Sequence, residues 1–196
     1  MNLAIFISGS GTTLDAIARA IESGRLKSNI AVVISNKPDA PGLDKYVRPR
    51  GIPFEIIPRK EYESEESFGE AVISTLAKYN ADFGCLAGFL QKVPAGVIDY
   101  LKGRMINSHP GDTRKYGGPG MYGLKVHQAV LEAGEPETIS TVHWVTPIYD
   151  EGAVLSQIKM LITPDITSPE ELAKRLLPVE WENYVATLEK LEGKDA

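Results

Sequence analysis

The sequence predicts an α/β fold, with a doubly wound, mostly parallel sheet that continues into an antiparallel extension in the C-terminal half. Three observations indicate this class. Short apolar runs alternate with helical segments through residues 1–110, which is the order of a parallel sheet with crossover helices. Most runs are apolar at successive positions, as expected for strands covered on both faces. Two alternating segments separated by a turn then follow, which indicates an antiparallel pair.

Five strands and four helices alternate in this first part of the chain. The predicted strands are 3–8, 30–36, 53–58, 81–88 and 104–110. The predicted helices are 12–24, 41–51, 62–80 and 94–103. The clearest of them is the first, because its Leu and Ile residues recur at helical spacing and Gly24 ends it.

The second part begins with residues 112–123, which hold four glycines and a proline and predict a loop with a functional role. The remaining predicted elements are a helix at 124–134, paired strands at 138–146 and 152–162, and a terminal helix at 168–193. Ser168 followed by Glu171 predicts an N-cap for the terminal helix. Pro178 is expected to kink or interrupt this helix, because proline lacks the N–H that the helix needs.

Composition sets broad limits on function. With 196 residues, of which 43% are hydrophobic, the chain is expected to form a single domain, 1–196. A net charge of −5 argues against a nucleic-acid surface. A single cysteine, Cys85, excludes an internal disulfide. No run approaches the ~20 apolar residues of a membrane span, and residues 1–11 lack the features of a signal peptide, so we expect a cytoplasmic protein.

The glycine-rich stretch "SGSGTTL", residues 8–14, lies between the first predicted strand and helix. Such loops present backbone N–H groups and the positive end of a helix to an anion. A dinucleotide fingerprint fits poorly, because Leu14 stands where the third glycine is needed and the second strand ends without an acidic residue. The stretch therefore favours a phosphate site, with a tight turn as the plain structural alternative.

The stretch "NSHP" places Asn107 and His109 at the carboxyl end of the fifth predicted strand. In an open parallel sheet the ligand crevice lies at that edge, so residues 8–14, 88–93 and 107–112 should meet there. Asp150, in the turn "YDEG", is the carboxylate that we pair with His109, and the neighbouring Glu151 is an equally good candidate by chemistry.

The other two histidines, His127 on a helix and His143 in a strand, are interpreted as structural. Asn, His and Asp without a nucleophile offer an oxyanion donor, a general acid and a proton relay. This set suits acyl transfer to a nucleophile that the substrate brings. No metal is predicted, because no pair of histidines has the spacing of metal ligands.

The motifs "ISGSGTTLDAI", "NKPDAPGL", "LAGFLQKV", "NSHP" and "STVHWVTPIYDEGAVLSQ" cover nearly the whole chain. With them the sequence resembles the folate-dependent formyltransferases, most closely the branch that formylates glycinamide ribonucleotide in purine synthesis. The resemblance implies a Rossmann-like formyltransferase fold. It also implies that Asn107 binds the formyl oxygen, that His109 is the general acid, and that Asp150 orients His109 and relays the proton.

The resemblance further implies two ligands and a division of the chain. The formyl donor is 10-formyltetrahydrofolate, expected against Leu90, Gln91, Lys92, Val93 and the 145–150 loop, including Val145 and Thr146. The acceptor is glycinamide ribonucleotide, whose phosphate is expected at Gly11, Thr12 and Thr13, and whose ribose is expected at Glu180. Residues 1–106 then form the phosphate-binding half and residues 107–196 the catalytic and folate-binding half. A homodimer is also considered.

Several positions depart from the family pattern. Thr13 stands where Asn is usual, Gln91 where Arg is usual, and Leu177 where a glutamine is usual; "GDTR" follows His-Pro in place of small apolar residues. These changes motivate an alternative acceptor, such as an amino sugar nucleotide or another small amine. A non-catalytic folate-binding protein and a hydrolase of the donor are further alternatives. Asp112 is expected either to pair with Arg114 or to contact an unusual acceptor.

Overall fold

The structure, a computed structural model, describes residues 1–193. Its helices and strands alternate as predicted through the first five strands. The strands are β1 (Asn2–Ile7), β2 (Asn29–Ser35), β3 (Phe54–Ile56), β4 (Phe83–Leu86), β5 (Met105–His109), β6 (Glu137–Trp144) and β7 (Val154–Leu161). The α-helices are α1 (Thr12–Glu22), α2 (Glu65–Lys78), α3 (Ala95–Tyr100), α4 (Thr113–Tyr116), α5 (Leu124–Glu132) and α6 (Pro169–Glu192).

The seven strands form one sheet in the order β3-β2-β1-β4-β5-β6-β7. Pairing is parallel from β3 to β5, and β6 and β7 add antiparallel pairs. The predicted fold class is therefore confirmed. The strand order reverses direction between β1 and β4, and the carboxyl ends of these two strands flank the crevice where open α/β sheets bind ligands.

Both faces of the sheet are covered, as the continuous apolar runs predicted. One buried cluster packs α1 and the C-terminal half of α6 against one face, with Leu14, Ile17 and Tyr184 among its members. The other packs α2 and α3 against the opposite face, with Phe68 and Val97 among its members. Since apolar burial is the main stabilising term in folding, these two layers hold the strand ends in fixed positions.

Three elements differ from the sequence prediction. The predicted helix at 41–51 is a π-helical turn, Leu43–Val47, followed by a 3-10 turn, Arg48–Arg50. The predicted loop at 112–123 contains the one-turn helix α4, whose N-cap is Asp112. Pro178 does not interrupt α6, because buried side chains on both sides of it, including Leu172 and Leu188, pack the helix in place.

Helix α1 begins at a glycine for a steric reason. Gly11 has a φ of 69°, in the left-handed region that glycine adopts without strain. A Cβ there would lie 2.9 Å from Cα of Gly42, which is closer than real contacts allow. The motifs "SGSGTTL" and "APGL" therefore depend on each other, because their backbones touch at the entrance to α1.

Candidate active site

A cavity of about 390 Å³ lies outside the carboxyl ends of β1, β4 and β5. The loop after β1, the loop after β4 and the end of β5 all line it, so the predicted meeting of these three segments is confirmed. The wall is completed by three further segments: loop residues 118–123, the turn that holds Asp150, and one face of α6. The site is therefore built from both halves of the chain.

Asn107 and His109 lie two residues apart on β5, so both side chains project from the same face of the strand. Both line the cavity. The antiparallel register of β5 and β6 places Asn107 opposite His143. The Asn107 amide nitrogen, Nδ2, donates to Nε2 of His143 at 3.3 Å, which orients the amide at the cavity wall.

Asp150 reaches the cavity from the turn between β6 and β7. Its φ of 57° is unusual for a residue other than glycine, and such strain persists where the surroundings hold it. The Gly118 N–H donates to Asp150 Oδ2 at 2.9 Å. The same carboxylate lies 3.7 Å from Nδ1 of His109 and 3.5 Å from Nε2 of His143. The predicted approach of Asp150 to His109 is therefore present.

The protonation of His109 follows from its contacts. Its Nε2–H donates to the carbonyl oxygen of Tyr116 at 2.8 Å, because a carbonyl can only accept. The unprotonated nitrogen of the neutral ring is then Nδ1, the atom that faces Asp150. Burial lowers the pKa of His109 and outweighs the opposing charge of Asp150. His109 is consequently neutral near pH 7 and can accept a proton at Nδ1.

The Asp150 carboxylate is ionised. Burial alone would raise its pKa, but the nearby His143 and His109 rings and the Gly118 N–H together lower the pKa below the usual aspartate value. An ionised carboxylate beside a neutral imidazole stabilises the imidazolium that forms when the ring takes up a proton. The pair can therefore receive and hold a proton during a reaction.

His143 was interpreted as structural, and the structure places its ring beside Asn107 and Asp150. Its Nδ1–H donates to the carbonyl oxygen of Trp144 at 2.8 Å, so Nε2 points toward Asn107 and Asp150. Sequence reasoning missed these contacts of His143. They depend on the register between β5 and β6, which pairs residues 36 positions apart. The sequence did hold one indication: the alternating pattern of β6 predicts that the side chain of His143 points into the protein.

His127 also lies at the site, in the cavity wall contributed by α5. It is buried, and its Nδ1 has no hydrogen-bond partner among the described residues. Burial, with a smaller effect from the nearby His109 ring, lowers the pKa of His127 to about 4. His127 is thus a neutral, buried residue of the cavity wall, and its structural interpretation stays a prediction.

Asp112 lies outside the cavity and pairs with Arg114, as one of the two sequence expectations stated. Its side chain accepts from the Arg114 backbone N–H at 3.1 Å and from the Arg114 guanidinium at 3.0 and 3.1 Å. It caps α4 at the same time. Asp112 therefore shapes the loop whose Tyr116 carbonyl orients His109.

One end of the cavity is suited to an anion. Gly11, Thr12 and Thr13 line it at the start of α1, and no side chain among residues 1–193 caps the N-terminal N–H groups of that helix. Such groups favour anions through hydrogen bonding and the helix dipole. Glu180 lines the same cavity, and burial raises the pKa of its carboxyl to about 7.

The residues expected at the folate divide between two recesses. Leu90 lines the main cavity. Lys92, Val93, Val145 and Thr146 line a smaller adjoining recess of about 40 Å³ that shares Asn107 and Asp150 with the main cavity. Gln91 lines neither of them. The amide and carboxylate thus lie where the two recesses meet.

No cluster of three or more His, Cys, Asp or Glu side chains suited to a metal ion occurs within residues 1–193. In the same range, no helix is long and apolar enough to span a bilayer. The chemistry available at the site is that of its side chains: an amide donor, a neutral imidazole and an ionised carboxylate around one point, beside an anion-binding end.

The sequence pattern of the family described as "Formyl transferase" matches residues 1–188, so the chain belongs to this family. Curated relatives include the phosphoribosylglycinamide formyltransferase, chloroplastic, of Arabidopsis thaliana, which is 36% identical over 184 residues, 93% of this chain and 62% of the relative. The phosphoribosylglycinamide formyltransferase of Escherichia coli K12 is 34% identical over 160 residues, 82% of this chain and 73% of the relative.

Solved structures agree with the assigned fold. The phosphoribosylglycinamide formyltransferase from Bacillus halodurans superposes with a TM-score of 0.91 at 30% identity and covers 100% of this chain and 97% of its own. The corresponding structure from Coxiella burnetii has a TM-score of 0.86 at 36% identity, with 96% and 85% covered. The chain spans about three fifths of the length of the plant relatives, 62% and 60%.

Proposed function

We propose that this protein transfers the formyl group of 10-formyltetrahydrofolate to the amine of glycinamide ribonucleotide, a step of purine synthesis. The observation that carries the proposal is the convergence of Asn107, His109 and Asp150 in one cavity whose far end offers the N–H groups of α1 to an anion. Membership of the formyl transferase family and the names of the relatives support the reaction class.

In the proposed mechanism the acceptor amine attacks the formyl carbon, and negative charge develops on the formyl oxygen. The Asn107 Nδ2–H is the donor that meets this oxygen. The amine becomes an ammonium as the C–N bond forms, and Nδ1 of His109 takes its proton. The proton then passes to N10 of the folate as the bond from N10 to the formyl carbon breaks. Asp150 stabilises the imidazolium between these two transfers.

The lowered pKa of His109 refines the role expected from the resemblance. A neutral ring near pH 7 carries no spare proton at Nδ1, so His109 acts as a base before it acts as the acid. The proton that protonates the leaving group therefore comes from the acceptor amine. This order conserves the proton, because none is needed from solvent.

We propose that the donor binds where the smaller recess opens into the main cavity beside Asn107, with Leu90, Lys92, Val93, Val145 and Thr146 as contacts. The contact between Gln91 and the folate stays a prediction, because Gln91 lines neither recess. The acceptor is proposed with its phosphate at Gly11–Thr13 and its ribose near Glu180. No metal takes part in the proposed mechanism. The cytoplasmic location, the homodimer and the single domain 1–196 remain predictions from the sequence, and residues 194–196 lie outside the described residues.

The decisive experiment is a spectrophotometric assay with 10-formylfolate as the donor, run with and without glycinamide ribonucleotide. We expect release of the deformylated folate only when the acceptor is present. Release without any amine would identify a hydrolase. Binding of the folate without release, unchanged in His109→Ala, would identify a folate-binding protein.

A second acceptor is kept because Thr13 and Leu177, two of the departures from the family pattern, both line the cavity. An amino sugar nucleotide or another small phosphorylated amine would use the same catalytic groups. Comparison of kcat/KM for glycinamide ribonucleotide and for an amino sugar nucleotide decides between them. A higher value for the amino sugar nucleotide would reassign the acceptor and leave the reaction class intact.

A further inference from the structure

The main cavity has little positive charge with which to bind an anionic substrate. Among described residues, its walls hold the carboxyl groups of Asp150 and Glu180, the imidazoles of His109 and His127, and one ammonium group, that of Lys174. Burial lowers the pKa of both imidazoles, so they contribute no positive charge near pH 7. A phosphate entering this cavity therefore meets one full cation, Lys174.

Lys174 is placed at the anion-binding end by the packing of two parallel helices. Arg25, just beyond the C-terminal end of α1, binds Glu182 and Glu189 in the C-terminal half of α6. At the other end, Gly11–Thr13 share the cavity with Lys174, which lies in the N-terminal half of α6. The two helices thus run in the same direction, and Lys174 and the N-terminal N–H groups of α1 line the same cavity.

Of the neighbouring side chains on α6, Lys174 is the one available to bind an anion. It is exposed, and the structure gives its ammonium group no ion pair within residues 1–193. The next residue, Arg175, is by contrast held by Asp165 at 2.7 Å. Leu177, one turn further along the cavity wall, is apolar and offers no hydrogen bond to a phosphate. Lys174 is therefore the side chain of this wall that can reach an anion without breaking another pair.

We propose that Lys174 is a specificity-determining residue that binds the phosphate of the acceptor together with the backbone N–H groups of Gly11–Thr13. The inference rests on the proposed formyl transfer, and it adds the residue that selects the acceptor. An ammonium group attracts a doubly charged phosphate as a point charge, without a fixed geometry. The site consequently selects phosphorylated amines over neutral amines of the same shape.

The test is steady-state kinetics of the full chain with four proteins: wild type, Lys174→Ala, Lys174→Arg and Lys190→Ala. Lys190 is the matched control, an exposed lysine of the same helix that does not line the cavity. For Lys174→Ala we expect the KM for glycinamide ribonucleotide to rise about 10-fold, the typical loss for a charge-assisted hydrogen bond. The KM for 10-formylfolate and kcat stay near wild type. Lys174→Arg retains most of the affinity, and Lys190→Ala changes nothing.

A salt series adds a second readout. The ratio of acceptor KM values between Lys174→Ala and wild type should shrink between 50 mM and 500 mM NaCl, because salt screens an exposed charge. Thermal denaturation checks that each variant is folded. A rise in the KM for the folate donor instead of the acceptor overturns the proposal, since Lys174 would then bind a folate carboxylate. Equal acceptor KM values in wild type and Lys174→Ala also overturn it.

The binding of inorganic phosphate separates this inference from the proposed function. If wild type does not formylate glycinamide ribonucleotide, the proposed function fails, and calorimetric titration with inorganic phosphate still tests the lysine. Weaker phosphate binding by Lys174→Ala than by wild type and Lys190→Ala supports the anion role. Equal binding by all three proteins overturns it.

Discussion

The two ends of the cavity are built differently. At the catalytic end, Asn107 and His109 lie on a central strand, and hydrogen bonds to His143, Tyr116 and Gly118 orient the amide, the imidazole and the carboxylate. At the acceptor end, the N–H groups of α1 have no side-chain cap. Within residues 1–193, neither the ammonium of Lys174 nor the carboxyl of Glu180 forms an ion pair.

This difference shows which part of the site is fixed before substrate arrives. Groups that act on developing charge must already be oriented, because reorganisation during the reaction costs rate. Groups that bind a charged substrate must instead have unused hydrogen-bonding capacity. The departures from the family pattern at Thr13 and Leu177 line the end of the cavity proposed for the acceptor, so we expect variation there to change the choice of acceptor and leave the chemistry in place.

The largest expected effect is at the catalytic end. His109→Ala should lower kcat by about 10²–10⁴, the range for removal of a general acid–base group, while the acceptor KM changes little. The control is Lys190→Ala, at an exposed residue of α6 that does not line the cavity. A loss of less than about 10-fold for His109→Ala would show that another group moves the proton.

Asn107→Ala should have the next largest effect. Removal of one oxyanion donor typically lowers kcat by about 10²–10³, and its Nδ2 atom is the donor assigned here. Glutamine at this position should not restore activity, because the longer side chain displaces the amide. Wild-type kcat in Asn107→Ala would assign the formyl oxygen to a different donor.

Acid should destabilise the fold through His127. Its pKa is about 4 in the folded protein, against about 6.5 when unfolded. The unfolded chain therefore binds more protons between these values, and stability falls as pH drops through 6.5. From pH 7 to pH 5 the loss is about 2 kcal/mol. Urea denaturation at both pH values measures it, with His127→Gln as the comparison.

The outcome for His127→Gln separates two causes of acid sensitivity. If His127 is responsible, the variant loses less stability than wild type over the same pH interval. If both lose the same amount, the sensitivity comes from other groups. Asp150 is expected to contribute only at lower pH, because its pKa is depressed and its stabilising charge is lost as pH falls through that low value.

The smallest effect tests His143, whose contacts with Asn107 and Asp150 the sequence analysis did not predict. His143→Gln should lower kcat by about 10-fold, since Asn107 and Asp150 lose one orienting contact and keep the others. The acceptor KM should stay unchanged. If the KM changes and kcat does not, His143 would belong to substrate binding, and the contrast between the two ends would weaken.

The acceptor end was harder to predict from the sequence than the catalytic end. Asn107 and His109 are close in sequence and end an apolar strand, so their direction follows from strand geometry. Lys174 stands in an ordinary charged stretch of an amphipathic helix, "EELAKRLL". Nothing in that stretch shows that this side chain faces a cavity, because the helix orientation depends on its packing against α1.

By itself, the sequence determined the order of strands and helices, the fold class, the glycine turn before α1 and the strand end that holds Asn107 and His109. These features follow from local periodicity, turn residues and backbone sterics. Only the tertiary structure decided that His143 faces Asn107, that α6 continues through Pro178, and that Lys174 lines the same cavity as the start of α1. Each of these depends on the register or packing of segments far apart in the chain, which local preferences do not encode.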